Sequence, residues 1–90
     1  MTPPTHVDGN AVAGTFTDVL GFDVTTATLT CAGCRRTAVF AEAHVYRGGP
    51  GIVVRCPDCQ EVLLRLVWRP NDVCLDLRGA QCWRIPVPAR

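Results

Sequence analysis

The chain contains no lysine and no serine, and among its 90 residues it has a single tyrosine and a single methionine. Without serine there is no serine nucleophile, and no glycine-rich phosphate loop or dinucleotide fingerprint is present either. An enzyme is therefore not expected. The missing lysine, with all nine basic residues being arginine, reads first as the imprint of a GC-rich genome. Long apolar runs are missing too. VLLRLVW is short and carries Arg65, far from the ~18–20 apolar residues that a membrane span requires. The opening MTPPTHVDGN lacks the basic and apolar regions of a signal peptide. These absences predict a soluble, cytoplasmic protein with no membrane partner. An excess of either charge is also absent, the formal net charge being +1.

What is present is a chain with 48% hydrophobic residues, enough for a globular fold. Its size is the difficulty. A domain of this length buries only roughly 60–65% of the surface its unfolded chain exposes, which leaves the core marginal without a staple. The candidate staple is cysteine. Cys31-Ala-Gly-Cys34 is followed, after 21 residues, by Cys56-Pro-Asp-Cys59. A C-x₂-C pair points two sulfurs into one concavity, and two such pairs supply a tetrahedral Cys₄ site with Zn–S distances of about 2.3 Å. Pro57 presets the backbone of its turn, and Gly33 eases steric limits in the other. The expected cofactor is one Zn²⁺ per chain on Cys31, Cys34, Cys56 and Cys59, in two rubredoxin-like zinc knuckles. Iron uses the same ligands, but its knuckles usually carry Gly after the second cysteine, whereas Arg35 and Gln60 stand here. Disulfide or thiol redox chemistry is the remaining alternative; a thioredoxin-type pair would need a helix directly after it, and both pairs precede extended segments. Four protein ligands fill the coordination sphere and leave no open position for catalysis. Cys74 and Cys82 read as ordinary small side chains.

Along the chain, residues 1–7 read as a flexible arm and 8–90 as a single domain. Asp8 or Asn10 can cap a short helix bearing Val12, Phe16, Val19 and Leu20, with Gly21 as its stop. From Phe22 the chain reads as β. DVTTATLT leads to Cys31, and TAVFAEAHVY alternates as one strand, with Val39, Ala41, Ala43 and Val45 on one face and Phe40, Glu42, His44 and Tyr46 on the other. RGGPG is a turn, IVVR and VLLRLVW flank the second knuckle, and RPN breaks the chain again. DVCLDLRGAQCWRIPV is expected to fold as a C-terminal hairpin about Gly79, with Arg78 opposite Cys82 and Asp76 opposite Arg84. That register gathers Val73, Leu75, Leu77, Trp83, Ile85 and Val87 on one face.

The combination HVDGNAVAG, DVTTA, CAGC, CPDC, LLRLV and LDLRG resembles a family of short zinc-ribbon-like actinobacterial proteins, a domain of unknown function. The likeness runs from His6 to about Ile85. It implies a single cytoplasmic domain with a metal on the same four cysteines, and it assigns nothing to Cys74 or Cys82.

The predicted fold is mostly β: a small zinc ribbon extended by a C-terminal hairpin, with one short N-terminal helix. The predicted function is a non-enzymatic, zinc-stabilised module that binds another protein. Nucleic acid is the second class of partner, through Arg35, Arg36 and Arg55, although these cations equally offset the doubly negative ZnS₄ centre. Four thiolates and one Zn²⁺ together change the formal +1 by −2, leaving −1, where a nucleic-acid module normally shows a basic excess. A redox sensor whose oxidised knuckles release zinc is the third reading. His44 is expected to be a hydrogen-bonded strand residue, and Trp68 and Trp83 to be core or partner-facing anchors.

Overall fold

Asp8 turns the chain into its first helical segment by the means the sequence suggests: its Oδ1 accepts the Ala11 N–H at 3.3 Å. The computed structural model describes residues 6–87. Strand β1 (Val7–Asp8) leads into a 3₁₀ turn, Gly9–Val12, and helix α1, Ala13–Leu20. Gly21 ends α1 in the left-handed region at φ 83°, its N–H donating to Thr17 O. Phe16 points from α1 into the core and meets Phe40 edge to face, with centroids 5.1 Å apart. Gly9 has a separate reason. A Cβ there would overlap the carbonyl of Phe40, so only glycine lets this turn pack against the backbone at Phe40.

Seven further strands follow among the described residues: β2 (Thr28–Cys31), β3 (Thr37–Val39), β4 (His44–Gly48), β5 (Gly51–Arg55), β6 (Val62–Trp68), β7 (Val73–Asp76) and β8 (Ala80–Arg84). They form two antiparallel sheets, one in the order β1-β4-β5-β6-β7 and one in the order β3-β2-β8. Inward residues of both sheets, among them Leu29, Val45, Val54, Leu64 and Leu66, pack with Phe16 and Phe40 into one core. The fold is mostly β with one short α-helix, as the sequence leads one to expect. No helix among the described residues is long and apolar enough to cross a membrane. Of the expected arm, residues 1–5 lie outside the described residues, and Val7 pairs with Val45.

Three expectations need correction. TAVFAEAHVY is not one strand. A 3₁₀ turn at Phe40–Glu42 splits it, sending β3 to the small sheet and β4 to the large one. The turn inserts Phe40, expected to share a face with His44 and Tyr46, into the core, where it is fully buried; its N–H donates to Ala27 O at 2.8 Å. Burying a phenylalanine outweighs the regular ladder. DVTTATLT forms strand only from Thr28, because Asp23 Oδ1 folds back on the N–H and hydroxyl of Thr25 at 2.9 and 2.7 Å.

The C-terminal hairpin does not exist. Strand β7 pairs with β6, and β8 crosses to pair with β2. Gly79 marks the crossing rather than a hairpin tip. Its backbone lies against the Val62 carbonyl so closely that a Cβ would overlap the oxygen, and its own carbonyl accepts the Ala32 N–H at 2.9 Å. Asp76 therefore faces Arg65, not Arg84, and its carboxylate is held by Arg78 at 2.7 Å. Val73, Leu75 and Trp83 still reach the core, whereas Leu77, Ile85 and Val87 are exposed.

Candidate metal centre

Each C-x₂-C pair is the turn of a hairpin: the first joins β2 to β3, the second β5 to β6. The two turns repeat one hydrogen-bond pattern. In the first, the Gly33 N–H points at Cys31 Sγ (3.3 Å), the Arg35 N–H donates to Cys31 O (2.9 Å), and the Cys31 N–H donates to Arg36 O (2.9 Å). In the second, Asp58 N–H to Cys56 Sγ (3.4 Å), Gln60 N–H to Cys56 O (3.0 Å) and Cys56 N–H to Glu61 O (2.9 Å) take the same places. Closing such a turn requires positive φ after the second cysteine. Arg35 (φ 67°) and Gln60 (φ 69°) supply it, and they are the non-glycine residues in that region among those described. Gly33 does not have positive φ. Its smallness matters because a Cβ would press on the Glu61 side chain of the opposite knuckle at 3.1 Å.

The sulfurs converge. Cys31 and Cys59 are 3.6 Å apart, Cys34 and Cys56 3.7 Å, and all four ligand atoms lie within 4.8 Å of one another. A tetrahedron with metal–sulfur bonds of about 2.3 Å has edges of about 3.8 Å, so the cluster has the dimensions of a metal cage. The first cysteine of each pair is buried, and the second lies nearer solvent.

Proton competition within the cage points the same way. The backbone N–H of Glu61 favours the Cys59 thiolate, yet desolvation and the Cys31, Cys34 and Cys56 thiols push Cys59 up to about 12. Cys34 is raised as well: the Arg36 backbone favours its thiolate, but burial and the neighbouring Cys56 and Cys31 outweigh it. Cys31 is lowered: burial opposes this, but the N–H groups of Cys34 and Gly33 and the thiols of Cys59 and Cys34 outweigh it. The Cys31 thiolate is favoured while those of Cys34 and Cys59 are not, and a divalent cation would reverse the latter.

The centre also joins the two sheets, since Cys31 ends β2 in one and Cys56 follows β5 in the other. Cys74 and Cys82 are free, exposed and on different sheets, outside the cage.

The three arginines named from sequence do not share one environment. Arg35 and Arg36 are exposed on the first knuckle. Arg55 lies on the outward face of β5, where its Nη1 donates to Gln60 O at 2.8 Å and its guanidinium sits 5.5 Å from the centre of the Tyr46 ring. Gln60 continues outward: Nε2 donates to His44 Nδ1 at 2.8 Å, and Oε1 accepts the Tyr46 hydroxyl at 3.3 Å. His6 stacks on His44, with centroids 3.9 Å apart. Strand alternation places His44 and Tyr46 together, but Gln60, Arg65 and His6 carried no signal that would group them with these two.

One family model matches the chain over residues 3–88, and its description is "Family of unknown function (DUF6510)". Searches of the curated proteins and of the solved structures found no match.

Proposed function

Since the chain belongs to the family of unknown function DUF6510, which brings no activity with it, we propose from the geometry that it is a non-enzymatic binding module closed by one structural Zn²⁺. The convergence of four sulfurs from two hairpin turns within 4.8 Å supports this reading. Two knuckled hairpins facing one another support a zinc-ribbon reading, with additional sheet around them. Zinc suits four thiolates in a tetrahedron, and a complete protein ligand set makes the ion a fastener rather than a catalyst. Arg35 and Gln60 hold the positive-φ positions where iron knuckles usually have glycine.

Elemental analysis of protein purified without added metal tests it. One zinc per chain is expected, lost on Cys→Ser replacement at position 31, 34, 56 or 59 and retained in Cys74→Ala and Cys82→Ala. Iron, or no metal, would remove the reading.

For the partner, the near-neutral total charge favours another protein. A second reading, nucleic acid, is favoured by where the charge lies. Charges more than about 8–10 Å away are largely screened at physiological salt, so a ligand meets a local face and not the molecular total. Arg47, Arg55 and Arg65 gather around one stretch of the large sheet.

A further inference from the structure

The solvent side of the large sheet carries His44 and Tyr46 on β4, Val53 and Arg55 on β5, and Arg65 and Val67 on β6. Two shallow cavities, of about 540 and 370 Å³, lie along this face and share Tyr46 and Val53 as lining, so they form one trough. The first is bounded by Arg55 and Gln60, the second by Arg47 and Arg65, and no carboxylate among the described residues lines either. Among the described residues the ion pairs are Arg69–Asp72 and Arg78–Asp76; Arg55 and Arg65 form none, although Asp76 stands opposite Arg65 and feels its charge. The nearby acids lie at the sheet's margins: Asp8 beside His44 at the β1 edge, and Asp76, engaged by Arg78, at the β7 edge. Register puts Arg65 opposite Val53, two residues from Arg55 on the neighbouring strand, with a register shift between Val54 and Arg55.

Rings adjoin these cations. The Tyr46 ring has the Arg55 guanidinium 5.5 Å and the His6 ring 5.6 Å from its centroid, and His6 itself lies exposed on top of His44. Gln60 pins both His44 and Tyr46, so the rings are held before any ligand arrives. Rings fixed on an open sheet face, with guanidinium groups one strand away, are what a chain of alternating bases and phosphates requires: bases stack on rings or guanidinium planes, and phosphates meet the cations. An acidic peptide would use the arginines and leave the rings idle. We propose that this trough binds single-stranded nucleic acid, with a base stacked on Tyr46 or His6 and the backbone on Arg55 and Arg65. This deepens the binding-module reading and rests on it for the fold that presents the face.

The test is fluorescence anisotropy of the zinc-loaded full chain with a labelled oligothymidylate of about 15 nucleotides, close to the upper site size of small single-strand binders, in a salt series from about 50 mM. Binding that weakens steeply with salt is expected. Tyr46→Ala should weaken it roughly tenfold or more. Arg65→Ala should lower the magnitude of the log K–log salt slope by about 0.7, and Arg69→Ala, outside the trough, should change neither. Zinc content and circular dichroism of each variant are measured on the same samples, and Arg65→Ala alters only an exposed side chain. Absence of binding at low salt overturns the proposal, as do equal affinities for Arg65→Ala and the parent. So does a thymidine mononucleotide or a duplex binding as tightly as the single strand. A zinc-loaded protein that fails to bind removes this inference alone, whereas a protein that binds the strand without zinc removes the zinc fastener and leaves the trough.

Discussion

Two residues carry a conformational burden that their identities would not suggest. Arg35 and Gln60 sit at φ 67° and 69°, where a side chain costs about 1–2 kcal/mol relative to the right-handed region. They tolerate it because the Cys31 and Cys56 carbonyls need the turn closed at that point. Gln60 has a second task through His44 and Tyr46, but Arg35 makes the cleaner test. Arg35→Gly is expected to stay within about 1 kcal/mol of the parent, since relief of strain is offset by the greater freedom of glycine in the unfolded chain. Arg35→Val should lose about 1–2 kcal/mol, because β-branching is least compatible with positive φ. Urea denaturation of the zinc-loaded proteins measures both, and equal losses would show that the left-handed turn is not what the position demands. The cysteine spacing announced the cage from sequence alone. The positive φ was not legible, because the residue types that usually signal it, glycine and asparagine, are not there.

Among the elements, glycines of opposite meaning sit in similar company. Gly14 lies in α1 facing open space, with no atom within 4 Å of the place a Cβ would take, so Gly14→Ala should stabilise the protein by about 0.5–1 kcal/mol through helix propensity. Gly79 lies where the chain leaves β7 for the other sheet, against the Val62 carbonyl. Gly79→Ala must push two backbones apart and should cost about 1–3 kcal/mol or more. Paired thermal or urea unfolding of the two variants checks the contrast, and a harmless Gly79→Ala would argue against the crossing. Helix α1 and the 3₁₀ turn before it were readable because their signals are neighbours in sequence: Asp8 capping the turn, apolar residues at helical spacing and a glycine stop. The hairpin expected around Gly79 failed for the converse reason. Its residues satisfy a hairpin pattern locally, yet β7 gains more by extending β6, and β8 by covering β2, where Trp83 meets Phe22 edge to face with centroids 6.2 Å apart.

For the molecule as a whole, the cysteine cage and the core do the same work from two ends. The core bridges the sheets with Leu29 from one and Val45, Val54 and Leu66 from the other, and the cysteine cage closes the seam beyond it. Structural zinc contributes an apparent ~10–16 kcal/mol in small metallodomains, as much as the entire stability of an ordinary domain, about 5–15 kcal/mol. Chelation at neutral pH is therefore expected to abolish both sheets in one transition, seen as loss of far-ultraviolet β signal and of amide protection in β2 and β5 together. Survival of the large sheet after chelation would show that its own apolar face is sufficient.

Chemistry encoded by adjacent residues was decided by the chain itself: the two C-x₂-C pairs, the Asp8-capped turn and the helix after it, the turns at Gly49 and Asn71, and the sharing of one strand face by His44 and Tyr46. These depend on dihedral preferences and side-chain spacing, which act over a few residues. Tertiary structure alone decided which strands are partners, that Phe40 breaks a strand to reach Phe16, that Cys74 and Cys82 part company, and that Arg65, Tyr46 and His6 share a face with Arg55. Those outcomes turn on burying the most apolar surface across distant segments, and no local pattern records which distant segment will provide it.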